Sequence, residues 1–255
     1  MILGYFPVKG VREVRKDIHV LTFWSPQIAG VIQPGQFVNL KVSETTDPLL
    51  RRPFSVYRTV GDEVQIIFQV IGKGTRALQQ AQKGETLDVL GPLGGRFSYD
   101  DQSFDTAVLI GGGLGVAPLP ILTEFLKRAG KRVVSFLGAR TTDKIVDDHL
   151  EGTSVATDDG SRGIRGTVVD LARKMLTPAS CDKPMMFACG PNSMLRAAAA
   201  LALELGIPCE VSLEGPMGCG FGICQGCPVE LVGAERKYGL MCKDGTVFNA
   251  RTIVI

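Results

Sequence analysis

The first third of the chain alternates short apolar or β-branched runs with turn signals. Between residues 9 and 89 the runs include VREVRKDIHVLTF, GQFVNLKV, RRPFSVYRT, EVQIIFQV and ETLDVLGP, and the segments QPGQ and TVGDEV are typical of turns. Strands at this spacing predict a small antiparallel barrel. We assign residues 1–100 to this barrel domain.

The pattern changes near residue 102. TAVLIGGG is a continuous apolar run that ends in glycines, LPILTEFLKRAG has helical spacing, and RVVSFLGA is the next strand. The alternation continues through TSVATDDG, TVVDLARKML, PMMFACGP, SMLRAAAALALELG and CEVSLE. It predicts a parallel α/β domain over residues 101–213. Residues 214–255 form a third, small domain, so the predicted fold class is a multi-domain combination of α+β and α/β.

Charge and hydropathy exclude two classes of partner. The chain of 255 residues has 28 Lys and Arg against 26 Asp and Glu, which gives no reason to expect nucleic acid. The longest stretch without a charged or polar side chain, residues 107–122, contains four glycines and two prolines. It falls short of the roughly 20 apolar residues that a bilayer span needs. The amino-terminal MILGYFPVKG has no features of a secretory signal, so we expect a cytoplasmic protein.

Four of the seven cysteines form a group near the end of the chain. Cys219, Cys224 and Cys227 are separated by four and two residues, and Cys242 follows after fourteen more. This is the spacing of a plant-type 2Fe–2S ligand set, and the interspersed glycines suit a loop that wraps a cluster. A structural zinc site is the alternative, although it usually presents two close pairs of ligands.

A glycine loop follows the first strand of the α/β domain. In VLIGGGLGVAPLPIL, the run Gly113, Gly115 and Pro118 places a tight backbone and a helix start where a pyrophosphate could bind. A tight strand-to-helix turn without a ligand is an equal alternative. Later strands end at TDDG, which contains Asp158 and Asp159, and at CGP. These ends should lie on the ligand-binding side of the sheet, although a solvated loop would also explain the two aspartates.

The barrel contains RRPFSV, a second candidate site. Arg52 could clamp a phosphate, Phe54 could lie against a flat ring, and Ser55 could bond to a ring nitrogen or oxygen. An edge-strand Arg-Pro with Phe54 in the core is the alternative. GKGTRALQQA adds Gly72, Gly74 and Thr75 at the start of a short helix, where unpaired amides could meet a phosphate.

In this order the motifs resemble the ferredoxin reductase superfamily, and within it the family of electron-transfer subunits of NAD-dependent dihydroorotate dehydrogenases. The resemblance covers nearly the whole chain and includes RRPFSV, GKGT, GGGLGVAPL, TDDGSRGIRG, SLEGPMGCGFGICQGC and CKDGTVF. It implies a six-stranded FAD barrel, an NAD domain and a 2Fe–2S domain.

The resemblance also implies roles for individual residues. FAD would be held by Arg52, Pro53, Phe54, Ser55, Ile67, Phe68, Gln69, Gly72, Gly74 and Thr75. NAD would be held by Gly111, Gly112, Gly113, Gly115, Pro118, Asp158, Asp159, Cys189 and Gly190. The cluster ligands would be Cys219, Cys224, Cys227 and Cys242.

The family also implies a catalytic partner subunit that contains FMN, in a heterotetramer, and a relay of electrons from dihydroorotate to NAD. The chain has only two histidines, His19 and His149, which we expect at the surface rather than in catalysis. One alternative is a flavin subunit of a ferredoxin:NAD(P) oxidoreductase or a hydrogenase-type complex, for which Arg140 could meet a 2′-phosphate. Another is a cofactor-free or zinc-bound regulatory module.

Overall fold

The computed structural model of the protein describes residues 1–43, 45–176 and 181–255. Six antiparallel strands close a barrel in the order β1-β2-β5-β4-β3-β6. They are β1 (Ile2–Arg15), β2 (Ile18–Trp24), β3 (Phe37–Lys41), β4 (Arg52–Val60), β5 (Glu63–Gln69) and β6 (Thr86–Leu93). The barrel is filled by side chains that alternate inward along the strands, among them the fully buried Leu21, Phe23 and Ile66. Short helices α1 (Pro26–Ala29) and α2 (Lys73–Gln79) lie in its connections.

A seven-stranded sheet follows in the order β10-β9-β8-β7-β11-β12-β15. The strands are β7 (Thr106–Gly112), β8 (Arg132–Ala139), β9 (Thr153–Thr157), β10 (Ile164–Arg165), β11 (Pro184–Cys189), β12 (Cys209–Ser212) and β15 (Val247–Asn249). All residues of β7 are buried because helices cover both faces of the sheet. The helices are α3 (Leu119–Arg128), α4 (Val168–Met175) and α5 (Asn192–Glu204).

The barrel and the sheet share a core. Ile18, Val20 and Ile67 of the barrel belong to the same buried cluster as Leu109 and Leu119 of the α/β part. Arg15 Nε also donates to the carbonyl oxygen of Ile145 at 2.8 Å. The barrel and the sheet are therefore packed directly against each other along this buried interface.

The last segment adds a hairpin and one more strand. Strands β13 (Pro228–Glu230) and β14 (Tyr238–Leu240) pair antiparallel and lead into helix α6 (Met241–Asp244). Strand β15 then joins the main sheet antiparallel to β12, with Val211 opposite Phe248. The predicted combination of an antiparallel barrel and a parallel α/β sheet is confirmed, and the antiparallel edge strand is an addition to it.

The prediction that both histidines lie at the surface is wrong for one of them. His19 is only 6 % exposed and packs against Phe68, with ring centroids 6.0 Å apart. It occupies the buried face of β2, where the pattern of neighbouring apolar residues places it inside. His149 is exposed, as expected. No helix in the described ranges is both long enough and apolar enough to cross a bilayer.

Candidate functional site

A cleft of about 380 Å³ lies between the barrel and the sheet. Seven predicted FAD residues form its barrel wall: Pro53, Phe54, Ser55, Ile67, Phe68, Gln69 and Thr75. The opposite wall comes from Leu114 and Ala117 after β7, and the end of the cleft is lined by Glu214, Met217 and Thr246. This second set was not predicted for the flavin, because its residues belong to segments assigned to the nucleotide and to the cluster and reach the cleft only through tertiary folding.

The pairing of β3, β4 and β5 explains the barrel wall. Ser55 lies opposite Phe37 in the sheet register, and Phe54 meets Phe68 edge to face with centroids 6.0 Å apart. Phe54 is half-buried and leaves part of its ring in the cleft rather than in the barrel core. A flat aromatic group therefore fits against this wall, with Ser55 as a hydrogen-bonding side chain beside it.

Arg52 is the first residue of β4, and its side chain packs against the start of α2. Its guanidinium donates to the carbonyl oxygen of Leu50 at 2.7 Å, and a Cβ on Gly74 would lie 3.4 Å from Arg52 Cγ. Thr75 Oγ1 accepts from the amides of Ile71 and Gly72 at 3.0 and 3.1 Å, which fixes the turn into the helix. The predicted phosphate-binding residues are thus adjacent to the wall that would hold the ring.

A second cleft, of about 750 Å³, opens at the carboxyl ends of the parallel strands. Three of the residues predicted to hold NAD line it, Gly112, Gly113 and Asp158, and so does Gln69, which was predicted to hold FAD. The sequence argument did not assign other lining residues to a nucleotide site, notably Lys144, Thr167, Ser193 and Met194. They lie in loops and helix starts that follow β8, β10 and β11, so their position relative to the strand ends could have indicated them.

The remaining predicted glycines pack against protein. A Cβ on Gly115 would lie 2.4 Å from the Cα of Gly190, and one on Gly111 would lie 2.9 Å from Leu137 Cδ2. Pro118 precedes α3 and caps it. These residues shape the turn rather than line the cleft, so their contact with a nucleotide remains a prediction.

Cys189 is buried behind the glycine turn. Its Sγ lies 4.0 Å from Glu214 Oε1, and burial together with that carboxylate raises the pKa of the thiol well above its usual value. Cys189 is therefore a neutral thiol at physiological pH, and it does not line the nucleotide cleft. Its contact with NAD, like that of Gly190, stays a prediction.

The two aspartates of TDDG have different surroundings. Asp159 Oδ1 accepts from Ser161 N and from Ser161 Oγ, at 2.9 and 2.6 Å, which occupies it in a turn. Asp158 lines the cleft, and its amide donates to the carbonyl oxygen of Ala139 at 3.1 Å. Within the described ranges no hydrogen bond or ion pair of the Asp158 carboxylate is found. Asp158 is thus free to bind a ligand in the cleft, whereas Asp159 bonds to Ser161 and does not line the cleft.

The four grouped cysteines form two pairs in the third segment: Cys219 and Cys224 are partly or fully exposed, and Cys227 and Cys242 are buried. Cys227 Sγ is 3.2 Å from Cys242 Sγ. Cys219 and Cys224 are reciprocally bonded, because the amide of each lies 3.4 Å from the Sγ of the other. No three metal-binding side chains among the described residues are arranged to hold a single metal ion.

Backbone amides point at the first pair of sulfurs. Burial acts to raise the pKa of Cys219, but hydrogen bonds from the amides of Cys224 and Phe221 lower it to about 6. Burial and the Cys227 thiol instead raise the pKa of Cys242 to about 12. Two thiol pairs, one supplied with amide donors, match the donor set of a binuclear iron–sulfur cluster, in which each iron takes two protein sulfurs. The residues present therefore fit a 2Fe–2S group.

Comparisons with known proteins agree with this arrangement. Residues 214–254 match the family model described as the iron-sulfur cluster binding domain of dihydroorotate dehydrogenase B. The electron transfer subunit of dihydroorotate dehydrogenase B (NAD(+)) from Geobacillus kaustophilus is 40 % identical, over 97 % of this chain and 97 % of the relative. The subunit of the same name from Bacillus caldolyticus is also 40 % identical with the same coverage.

One solved structure is similar along almost the entire chain. It comes from a study of flavin-based electron bifurcation in an NADH-dependent reduced ferredoxin-NADP oxidoreductase, and it matches with a TM-score of 0.86 and 30 % identity. The match covers 98 % of this chain and 89 % of that chain. The predicted family resemblance is confirmed, and the chain belongs to the family of electron transfer subunits of dihydroorotate dehydrogenase B (NAD(+)).

Proposed function

We propose that this chain carries electrons from a dihydroorotate-oxidising partner subunit to NAD+, by means of bound FAD and a 2Fe–2S cluster. The observation that carries the proposal is the convergence of three segments on one cleft. Phe54 and Ser55 come from the barrel, Leu114 comes from the glycine turn, and Met217 leads directly into the cysteine loop, residues 218–227. A group bound in this cleft is in reach of both the nucleotide side and the cysteine side.

The chemistry of the bound groups explains why three segments are needed. FAD exchanges electrons singly or in pairs, so it joins a one-electron cluster to the two-electron nicotinamide. The protein's own contribution is to hold these groups and to exclude water between them. Phe54 and Phe68 give the cleft an aromatic wall, Asp158 presents a carboxylate to the nucleotide, and the four cysteines supply thiolates.

The finer assignments belong to the same proposal. The partner carries FMN and forms a heterotetramer with this chain, and the complex is cytoplasmic. Residues 1–100, 101–213 and 214–255 act as the FAD, NAD and cluster domains. Two apolar side chains of the cysteine loop support a protein contact there, because Phe221 and Ile223 are 38 % and 76 % exposed.

The test is an assay of the purified chain with and without its partner. The chain alone should show flavin and iron–sulfur absorption and oxidise NADH with a dye acceptor, and it should leave dihydroorotate untouched. Adding the catalytic subunit should connect dihydroorotate oxidation to NAD+ reduction. Turnover of dihydroorotate by the chain alone, or a colourless protein, would contradict the proposal.

A matched pair of variants tests the flavin wall. Phe54→Ala should weaken FAD binding roughly tenfold, because a buried aromatic contact is lost. Tyr5→Ala, at an aromatic side chain 69 % exposed on the outside of the same barrel, should leave FAD binding unchanged. Equal flavin content in both variants would remove Phe54 from the site.

A second function is favoured by one observation. The similarity to the ferredoxin-NADP oxidoreductase structure spans almost the full chain, and Arg140 lines the nucleotide cleft, where it could meet a 2′-phosphate. Reduced ferredoxin would then replace dihydroorotate as the electron donor, and NADP+ would replace NAD+ as the acceptor. Comparing kcat/KM for NADH and NADPH, and testing ferredoxin as donor, separates the two functions.

A further inference from the structure

Asn39 is a polar side chain fully buried in the barrel strand β3, within the sequence FVNLK. Its Nδ2 donates to the backbone carbonyl oxygen of Cys219 at 2.9 Å. Its buried Oδ1 has no hydrogen-bond partner in the described part of the chain. Because an unpaired buried acceptor costs stability, barrel packing alone does not explain an amide at this position. The bond that its side chain makes leads out of the barrel to the cysteine loop, residues 218–227.

Gly220 fits against the same amide. A Cβ at residue 220 would lie 2.5 Å from Asn39 Nδ2, and the backbone there has a φ of +82°. Both observations require glycine, the first for space and the second for backbone freedom. Asn39 and Gly220 therefore fix how closely the cysteine loop approaches the barrel.

The bond to Cys219 controls the direction of neighbouring amides. The Cys219 carbonyl belongs to the peptide group that joins Cys219 to Gly220, and the following amides of Phe221 and Cys224 donate to Cys219 Sγ at 3.5 and 3.4 Å. Holding that peptide group in place keeps these amides aimed at the sulfur. Hydrogen bonds to ligand sulfurs are one of the determinants of iron–sulfur reduction potentials.

The same strand reaches the flavin cleft. Phe37 lines that cleft and lies opposite Ser55, and Asn39, two residues further along β3, lies opposite Pro53. Two strand residues span about 7 Å, so β3 carries a wall of the flavin cleft and the anchor of the cysteine loop side by side. Any shift of the loop relative to the cleft must break the bond from Asn39.

We propose that Asn39 is a positioning residue that holds the cysteine loop in a fixed position and orientation against the barrel, and thereby sets the reduction potential of the cluster. This inference rests on the proposed function, since it assumes a cluster on the four cysteines. It adds a residue that is neither a ligand nor a flavin contact to the electron path.

The experiment compares Asn39→Leu with Gln65→Leu in the full chain carrying its cofactors. Gln65 is a matched control, because it is a barrel-strand amide with a buried unpaired Oε1 whose Nε2 bonds to Thr22 Oγ1 at 3.4 Å, within the barrel. Cluster reduction is followed by electron paramagnetic resonance during a redox titration, and iron and flavin contents are measured on the same samples.

Asn39→Leu should keep its flavin and iron, shift the resonance of the reduced cluster, and lower the ratio of reduced to oxidised cluster at a fixed potential. The ratio should fall roughly fivefold, the size expected for one hydrogen bond of ordinary strength. Gln65→Leu should match the wild type. An unchanged resonance and titration in Asn39→Leu, or the same shift in Gln65→Leu, would overturn the inference.

Gly220→Ala provides a second route that leaves the barrel intact. If Asn39→Leu does not fold, the alanine variant should produce a shift of the reduced-cluster resonance by pushing the loop off Asn39, and an unchanged resonance would overturn the inference. If the wild type shows the iron–sulfur signal and the variants behave like the wild type, this inference is overturned and the proposed function stands. If the wild type with its cofactors shows no iron–sulfur signal, the proposed function is overturned as well.

Discussion

A Cβ atom on Gly115 would lie 2.4 Å from the Cα of Gly190, so these two glycines bring the turns after β7 and β11 into backbone contact. Neither backbone can move away without disturbing a buried strand, because β7 and β11 pair along their whole length. The contact fixes the rim of the nucleotide cleft, which both turns border.

Gly115→Ala should therefore lower the free energy of unfolding by about 1–3 kcal/mol or more, as expected for overpacking against backbone. It should also weaken NADH binding, because the cleft rim is displaced. Gly10→Ala is the control: nothing lies within 4 Å of its added Cβ, and the change should stay within about 0.5 kcal/mol. Denaturant unfolding measures both, and equal stability of the two variants would contradict the close contact.

The contrast between Asp158 and Asp159 gives a prediction on nucleotide binding. Asp158→Asn should raise KM for NADH roughly tenfold, because a charged hydrogen bond to the nucleotide is weakened. It should raise KM for NADPH less, since Arg140 remains in the cleft and a repelling carboxylate is gone. Asp159→Asn should leave both constants near the wild-type values. A larger effect at Asp159 would show that the ligand reaches the other side of the turn.

The cysteine pairs predict the metal content. Cys224→Ser should remove the iron–sulfur absorption and most of the iron while FAD and the NADH–dye activity remain, because the flavin cleft does not include this residue. Cys209→Ser, at a buried cysteine of β12, should retain the wild-type iron content. Iron, zinc and sulfide analysis checks this. Stoichiometric zinc without sulfide in the wild type would reject the cluster.

His149 predicts a dependence of stability on pH. Partial burial and the nearby Arg58 lower the pKa of His149, and its Nε2 lies 3.1 Å from Arg58 Nη1. The folded state binds a proton at His149 less readily than the unfolded state does. The stability that accompanies the neutral ring is therefore fully present above pH 6.5 and is lost as the pH falls through the folded pKa.

His149→Gln should therefore lose less stability than the wild type between pH 7.5 and pH 5, in thermal unfolding curves recorded at constant ionic strength. The His149 ring packs against Tyr57, and it also contacts Arg58, which is paired with the carboxylate of Glu124. These neighbours are unchanged in the variant. A steeper acid dependence in His149→Gln would contradict the lowered pKa.

Hydrophobic periodicity was enough to predict the barrel and the α/β sheet, but not every turn and edge strand within them. The run VREVRKDIHVLTF reads as one strand, yet the structure divides it into β1 and β2 at a turn where Asp17 has a φ of +63°. No glycine or proline marks that turn, and its local signal is limited to Asp17, a residue type that tolerates a positive φ. Strand β15 is likewise invisible to local pattern, since its three residues find a partner in β12 only through tertiary folding.

The candidate sites divide in the same way. Motif residues such as Phe54, Ser55 and Asp158 lie where the sequence argument placed them, because strand ends and turns carry local signals. Met217 and Thr246 reach the flavin cleft from the third segment of the chain, and nothing in their immediate sequence predicts this. The glycines of the turn show the converse: their motif is recognisable, but backbone packing accounts for Gly115 and Gly190.

The edge position of β15 links the iron–sulfur segment to solubility. Without residues 247–249, strand β12 would present a free row of backbone donors and acceptors ending at Ser212. An exposed strand edge of this kind can pair with the strand of a second molecule. A truncated chain made to study the flavin alone would thus be prone to self-association, and exchanging the terminal segment between relatives would require matching this strand as well as the cysteines.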